Sequence, residues 1–182
     1  MSNVLVIAEH RDGALKGISK EAMTAARAVA TDLGGDVVSV VLGDDTGSMA
    51  DDLAACGGSR TLKVHDAKLA QYTPEAYVAA LKKIVADVQP ALVLIGHSYQ
   101  AMDFFPRLAA AHDAALVPDV TAIAVEDGKC VFTRKVINGK LDARTVPTGD
   151  GIVFCSVQQG AFPVQDAGGA AAVEDFAVDL GD

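Results

Sequence analysis

Apolar runs alternate with amphipathic segments along the first half of the chain. Four runs predict buried strands, at residues 4–8, 36–42, 61–64 and 92–95, because strands covered on both faces of a sheet are apolar throughout. Apolar residues at helical spacing predict the intervening helices, at 19–33 with Ser19 as cap, at 48–55, and from Thr73-Pro74-Glu75 to Val88. Right-handed crossovers then give an α/β fold with a doubly wound, mainly parallel sheet.

The second half has short strands and tight turns instead of long helices. Strands are predicted at residues 120–125, 130–137, 140–146 and 152–157, with Asp127-Gly128 and Asn138-Gly139 as turn signals. This pattern predicts an antiparallel β extension beside the parallel sheet. From Pro163 onward the periodicity fades, which predicts one domain over residues 3–162 and a linker or flexible tail over 163–182.

Composition narrows the class of protein. The 182 residues are 51% hydrophobic with a net charge of −9, which fits one globular domain and argues against a nucleic-acid-binding surface. No apolar run is long enough to predict a membrane span. Three widely spaced cysteines without a C-x-x-C pair predict reduced thiols in a cytoplasmic protein.

Ligands of open α/β sheets bind beyond the carboxyl ends of strands, where the strand order reverses. The candidate loops are Ala8-Glu9-His10, Leu42-Gly43-Asp44 and Gly96-His97-Ser98. The last leads into a helix that Asp103 is expected to cap, with Pro106 and Arg107 in its first turn. Such a helix start suits a bound anion and an ordinary capped terminus equally well. Arg107 is expected to hold nearby backbone or an acid.

The motifs of common enzyme classes are missing. The first strand is followed by "EHRDGALKG", which is no G-x-G-x-x-G, and the chain has neither a P-loop nor a G-x-S-x-G elbow. The four histidines lack metal-ligand spacing. His97 as a general base would need a positioned partner. No catalytic residue and no metal site are therefore predicted.

An ordered set of segments resembles the N-terminal domain of the electron-transfer flavoprotein alpha subunit. The segments are "NVLVIAEHRDGALK", "SKEAMTAARAVA", "GHSYQAMDFFPRLAAAHDAALVPDV", "FTRKVINGK" and "VQQGAF". The resemblance implies a nucleotide-binding fold of the adenine-nucleotide alpha-hydrolase type. It also implies a heterodimer with a beta subunit that carries electrons on FAD from dehydrogenases to a quinone oxidoreductase or another acceptor.

In that family FAD is held mainly by a separate C-terminal domain, so none is expected on this chain alone. The resemblance makes Gly96, His97 and Ser98 a vestigial nucleotide-type loop. Two departures weaken any phosphate site. The family often has Gly then Lys or Arg where this chain has Ala101-Met102, and it often has Arg where this chain has Gln158. A mitochondrial matrix location after processing is a weaker alternative to the cytoplasm.

The same resemblance implies a subunit interface in the β extension. The residues expected to contact the beta subunit are Arg134, Lys135, Val136, Gly139 and Lys140. A homodimer through this surface is the alternative if no beta subunit is present.

Two other functions share such a sheet. A stand-alone adenine-nucleotide-binding module of the universal-stress type would carry a second glycine after the fourth strand, which "GHSYQAMD" does not supply. An ATP-pyrophosphatase would carry an S-G-G-x-D-S-like loop after the first strand, where this chain has "AEHRDG".

Overall fold

A computed structural model describes residues 2–181 of the chain. Its strands are β1 Val4–Ala8, β2 His10–Arg11, β3 Ala14–Leu15, β4 Val37–Gly43, β5 Arg60–His65, β6 Leu92–Gly96, β7 Ala115–Glu126, β8 Lys129–Val136, β9 Leu141–Thr145, β10 Val153–Val157 and β11 Ala172–Asp175. Its α-helices are α1 Gly17–Leu33, α2 Gly47–Ala54, α3 Pro74–Val88 and α4 Tyr99–Ala111, with a short 3₁₀ helix at Ala67–Leu69. Nine strands form one sheet in the order β11-β5-β4-β1-β6-β10-β7-β8-β9, and β2 pairs separately with β3.

The predicted α/β class with a mainly parallel sheet is confirmed. Strand β1 lies between β4 and β6, parallel to both. Side chains of β1 alternate between two apolar clusters, with Leu5 and Ile7 facing α3 and α4 and with Val4 and Val6 facing α1 and α2. The sheet is thus covered by helices on both faces, as its continuous apolar strands require.

Helix α3 begins where the sequence indicates. Thr73 is its N-cap and accepts a hydrogen bond from the backbone N–H of Ala76 at 3.4 Å, with proline in the first turn. Helix α1 begins earlier than predicted, with Lys16 as N-cap. The Ser19 hydroxyl lies inside α1 and binds the backbone of Glu9 instead of capping the helix.

The predicted start of α4 is wrong. Ser98 caps the helix by accepting a hydrogen bond from the Ala101 N–H at 3.1 Å. Asp103 and Pro106 therefore lie inside α4, not in the first turn. Arg107 binds acids, as expected, although it too lies in the helix interior. Its guanidinium is 3.1 Å from Glu75 and 3.6 Å from Asp103.

Strand β10 belongs to the parallel part of the sheet, so the placement of residues 152–157 in the antiparallel extension is wrong. It lies between β6 and β7, parallel to both. Its buried apolar side chains fit a strand with a neighbour on each side. Within the nine-stranded sheet, antiparallel pairing joins the second half of β7, β8 and β9. The pairing of β7 changes from parallel to antiparallel around Val120, where its pairing with β8 has a register shift.

The segment expected to be a linker or flexible tail contains a strand that the sequence pattern did not indicate. Strand β11 pairs parallel to β5 at the edge of the sheet, with Ala172 opposite Arg60 and Asp175 opposite Lys63. Beyond it, Phe176, Val178 and Leu180 pack against the apolar cluster of α3 and α4. The division of the chain into a domain over 3–162 and a tail stays a prediction.

His112 at the end of α4 gives a testable pH dependence. Its ring stacks on Phe154 with centroids 5.9 Å apart, and its Nε2 is buried without a partner among the described residues. Burial, with a smaller contribution from Lys82, lowers the pKa of His112. Below about pH 6.5, the ordinary pKa of histidine, the unfolded chain binds a proton that the folded chain resists. The free energy of unfolding should therefore fall as the pH drops from about 6.5 towards the lowered pKa.

Urea unfolding of His112→Gln across this range provides the measurement. The variant should lose that part of the slope, whereas His65→Gln, a change at an exposed histidine, should keep it. Equal slopes for wild type and His112→Gln would show that His112 does not titrate differently in the two states.

Candidate functional site

The three candidate loops meet at the carboxyl ends of β1, β4 and β6. The chain leaves β1 through the β2–β3 hairpin, and this hairpin returns Lys16 to Glu9, where its N–H binds the Glu9 carbonyl at 2.9 Å. The His10 ring donates from Nε2 to the Leu42 carbonyl at 2.7 Å. Strand order reverses between β1 and β6, so the loop at Gly96-His97-Ser98 lies at the switch point, as the sequence predicts.

Glu9 is the charged group at the centre of this site. Its side chain is only 2% exposed, and Lys16 Nζ lies 2.6 Å from its Oε2. The Ser98 hydroxyl donates to Oε1 at 2.6 Å while it accepts from the first turn of α4. A buried carboxylate is stable only when it is paired and hydrogen-bonded, and both conditions are met here.

The Glu9 carboxylate places a buried negative charge beside the start of α4, where an anionic ligand would bind. Lys16, which lines the cleft at this helix start, is already paired with Glu9, and the Ser98 hydroxyl is directed at the same carboxylate. A phosphate group here would meet a buried negative charge. Of the two possibilities left open by the sequence, the contacts favour an ordinary capped terminus. That Gly96-His97-Ser98 is a vestigial nucleotide-type loop stays a prediction.

His97 is held by buried groups on the neighbouring strand β10. The backbone N–H of His97 donates to the Val157 carbonyl at 2.8 Å, and the ring Nδ1 lies 2.9 Å from the Ser156 hydroxyl. Ser156 Oγ also accepts from the Asp119 N–H at 3.2 Å. Because these groups are a buried hydroxyl and backbone, His97 has here the contacts of a residue that joins two strands. No group of three or more metal-ligating side chains occurs between residues 2 and 181.

Asp119 adopts a left-handed backbone conformation near the point where the pairing of β7 with β10 ends and its pairing with β8 begins. Its φ is 57°, which is uncommon for a residue other than glycine. The side chain accepts from Gln158 Nε2 at 3.2 Å, and the next residue, Val120, pairs with Arg134. The loop at the switch point is thus connected to the predicted interface through Ser156 and Asp119.

The predicted interface residues lie at the end of β8 and in the turn that follows. Within β8–β9 pairing, Arg134 lies opposite Ala143 and Val136 opposite Leu141, so these residues share one face of the hairpin. Lys135 faces the other way and pairs with Asp142 at 2.8 Å. The Nε of Arg134 is buried and has no hydrogen-bond partner among the described residues.

The turn itself is exposed and partly apolar. Gly139 has a φ of 77° after two residues that are also left-handed, a conformation that glycine adopts without strain. Lys140 is exposed beside it. Ile137 is 65% exposed and Leu141 is 56% exposed. These two side chains make the hairpin end a surface on which apolar contact with another protein is favourable.

A cleft of about 640 Å³ opens between the starts of α1 and α4. It is lined by Lys16, Gly17, Ile18, His97, Ser98, Tyr99, Gln100, Met102 and Gln159. A second cleft of about 260 Å³, almost wholly apolar, lies on the other side of Met102 beside Phe105 and Pro118. The cation in the larger cleft is the paired Lys16, so the cleft suits a polar uncharged group better than a polyphosphate.

Sequence reasoning did not identify the roles of Glu9, Lys16 and Ser156. Glu9 carried a signal, because a carboxylate directly after a fully apolar strand lies at a ligand-facing edge. Ser156 carried a weaker one, as a hydroxyl inside an otherwise apolar strand. Their partners are distant in sequence, 89 residues apart for Glu9 and Ser98, and a single sequence does not reveal such pairs.

Gly96 has a packing role that can be tested. A Cβ at this position would lie 2.6 Å from the Ile18 side chain of α1, so a larger residue would push α1 away from the sheet. Gly96→Ala should lower the free energy of unfolding by about 1–3 kcal/mol. The penalty should shrink in an Ile18→Ala background, in urea titrations that form a double-mutant cycle.

Gly17→Ala is the matched control, because a Cβ there has no neighbour within 4 Å. It should leave stability unchanged or raise it slightly. A Gly96→Ala penalty that is the same with and without Ile18 would show that the glycine is needed for another reason.

The chain matches the family described as Electron transfer flavoprotein domain over residues 4–180. It is 30% identical to the Electron transfer flavoprotein subunit alpha of Bacillus subtilis, over 98% of this chain and 55% of the relative. The protein of the same name from Syntrophomonas wolfei is also 30% identical, with the same coverage. The Acryloyl-CoA reductase electron transfer subunit beta of Anaerotignum propionicum is 28% identical over 71% of this chain and 35% of the relative.

This chain thus spans about half the length of the curated alpha subunits that it matches. Its similarity to them extends from β1 through β11, and it includes the switch-point loop and the β8–β9 hairpin. The chain therefore belongs to the electron transfer flavoprotein domain family, as a domain of the alpha-subunit type.

Proposed function

We propose that this chain is the N-terminal scaffold of an electron-transfer flavoprotein alpha subunit, and that it joins a beta subunit in a complex that carries electrons on FAD. The observation that carries the proposal is the match of residues 4–180 to the family, together with 30% identity to named alpha subunits over 98% of the chain. The complex receives electrons from dehydrogenases and passes them to an acceptor such as a quinone oxidoreductase. The chain is an electron-carrier component without a substrate transformation of its own.

Two further observations support this proposal. A relative from Anaerotignum propionicum is named as an electron transfer subunit of a reductase, and this name fits a carrier that serves a partner enzyme. The Glu9 carboxylate, buried and neutralised by Lys16, opposes nucleotide binding at the switch point. The alternative of a stand-alone adenine-nucleotide module is not favoured.

The beta subunit is proposed to contact the end of the β8–β9 hairpin. The supporting features are the exposed Ile137 and Leu141. The guanidinium of Arg134, which is only half-buried, gains a charge-assisted hydrogen bond from a carboxylate or carbonyl on another protein. Lys135, Val136, Gly139 and Lys140 complete the proposed surface. A homodimer through the same residues is the form expected without a beta subunit.

The proposal places FAD on the complete complex, not on the switch-point loop of this chain. A fit of the FAD pyrophosphate to Gly96-His97-Ser98 fails on the contacts of the loop, because Ser98 and Lys16 are both committed to the Glu9 carboxylate. Removal of these two groups from Glu9 would leave its charge buried and unpaired. The isoalloxazine and pyrophosphate contacts are therefore assigned to other parts of the complex.

A cytoplasmic location is part of the proposal. Cys56, Cys130 and Cys155 are free thiols in the structure. Burial raises the pKa of each of them, most strongly for Cys155, and the fully buried Cys155 thiol is therefore protonated and unreactive. No helix between residues 2 and 181 has the length and apolarity needed to cross a membrane.

The interface assignment predicts the effect of two substitutions on subunit association. Co-expressed with the cognate beta subunit, the wild-type chain should form a heterodimer. Arg134→Ala removes a charged donor and should weaken association about tenfold or more. Val136→Asp places a charge on the apolar face and should weaken it at least as much. Light scattering coupled to size exclusion and titration calorimetry measure these effects.

Arg11→Ala is the control, because it changes an exposed arginine outside β7, β8 and β9. This variant should associate like wild type. If the wild-type chain neither binds the beta subunit nor self-associates at tens of micromolar, or if both hairpin variants associate normally, the interface lies elsewhere.

The flavin assignment makes a prediction for the isolated chain. Purified alone, it should be colourless, because the groups that would hold a pyrophosphate at its switch point are already engaged. An absorption spectrum after desalting is sufficient, and the co-purified heterodimer under the same conditions is the positive control. Flavin bands close to one equivalent per isolated chain would contradict the assignment.

A further inference from the structure

Residues 163–181, here called the strap, cross the molecule from one face of the sheet to the other. The strap begins on α1, where Gln165 N–H binds Thr24 Oγ1 at 3.2 Å and Arg27 donates to the Gln165 carbonyl at 2.7 Å. It passes over Gly57, where an added Cβ would lie 2.7 Å from Ala167. It then pairs with β5 and ends beside α3, where Lys83 donates to the Asp179 carbonyl.

The pairing of the strap with β5 is reinforced by opposite charges. Arg60 Nε lies 3.1 Å from Glu174, and Lys63 Nζ lies 3.2 Å from Asp175. Lys68 donates to the Gly181 carbonyl further along. Arg60, Lys63, Lys68 and Lys83 are thus four cations that follow the path of the strap, in a chain whose net charge is −9. The edge strand β5 is therefore basic, and β11, the strand that pairs with it, is acidic.

The strap also has an apolar component with strand spacing. Phe176, Val178 and Leu180 alternate with polar or small residues and pack, partly buried, against the cluster of α3 and α4. All four residues of β11 itself are exposed. Apart from β11, no strand in the described part of the chain covers the outer edge of β5. An uncovered parallel edge is a template for strand addition.

We propose that the outer edge of β5 is a strand-acceptor site for acidic extended segments with apolar residues at alternate positions, and that the strap fills it reversibly. The exposed ion pairs are weak and are screened by salt. The strap is therefore the part of the sheet that opens first. When it lifts, it uncovers the cations of β5 together with the apolar contact of Phe176, Val178 and Leu180. A partner segment of the same chemistry then binds in its place. This inference does not depend on the proposed electron-transfer function.

Hydrogen exchange on the intact chain tests the reversible closure. Amides of residues 172–176 should exchange about threefold to tenfold faster at about 500 mM than at about 50 mM NaCl, while β1 and β6 stay protected. The double variant Arg60→Gln/Lys63→Gln should show the faster exchange at low salt as well. Arg144→Gln, which removes an ion pair to Glu126 on the opposite side of the sheet, should leave these amides unchanged.

A labelled peptide of residues 170–181 tests the acceptor site in the intact chain. The chain's own strap competes with it, so wild type should bind the peptide weakly. Phe176→Ala loosens the strap but keeps the β5 cations, and it should bind the peptide at least about fivefold more tightly by fluorescence anisotropy. Val178→Ala serves the same purpose if Phe176→Ala does not fold. A peptide with Glu174→Gln and Asp175→Asn should bind neither chain.

Several outcomes would overturn the proposal. Exchange at 172–176 that ignores both salt and the two cations would mean that the charges do not hold the strap. Rapid exchange of these amides at low salt in wild type would mean that the strap is not closed in solution. Equal binding of the acidic and neutral peptides, or equal binding by wild type and the loosened variants, would exclude a strand-acceptor site of this chemistry.

Discussion

The buried carboxylate of Glu9 is the interaction on which the carboxyl edge of the sheet depends. A charge in such a place costs several kcal/mol unless every oxygen is satisfied. Lys16, which returns through the β2–β3 hairpin, and Ser98, which begins α4, bind the two carboxylate oxygens, and Ser19 in α1 binds the backbone of the same residue. The starts of α1 and α4 are thereby fixed relative to β1. The close approach of Ile18 to Gly96 follows from that placement.

This arrangement explains how a fold that commonly binds ligands at its switch point can serve as a scaffold. A phosphate at the start of α4 would need free N–H groups and a free cation. Here the chain places its own carboxylate and counter-ion beside that helix start, and this buried charge opposes a bound phosphate. From this edge, hydrogen bonds connect His97 to Ser156 and Ser156 to Asp119, and the next residue, Val120, pairs with Arg134. A fixed edge suits a domain whose proposed role is to hold another subunit.

The sequence predicted those features that depend on local pattern. The four apolar runs became β1, β4, β5 and β6, and Thr73 capped α3. The sequence-based predictions were wrong where two residues could each cap the same helix, or where a strand pairs with residues distant in the sequence. Ser98 and Asp103 can both cap a helix; in the structure Ser98 is the cap, and its hydroxyl also binds the distant Glu9. Strand β10 carries no signal for its insertion between β6 and β7. Strand β11 is exposed throughout, so it lacks the alternation that identifies a half-buried strand.

The two outer edges of the nine-stranded sheet meet the same constraint in different ways. An open edge invites unwanted pairing, and at β5 the chain covers its own edge with an acidic strap held by Arg60 and Lys63. At β9 no strand of the described residues provides cover. Instead, the Lys135–Asp142 ion pair lies on one face of the hairpin, while Val136 and Leu141 lie on the other face with Arg134. Charged groups on both faces discourage random association, yet a specific partner can still pack against the apolar side chains. The proposed subunit contact thus lies at the β8–β9 end of the sheet, and the proposed strand-acceptor site lies at the β5 end.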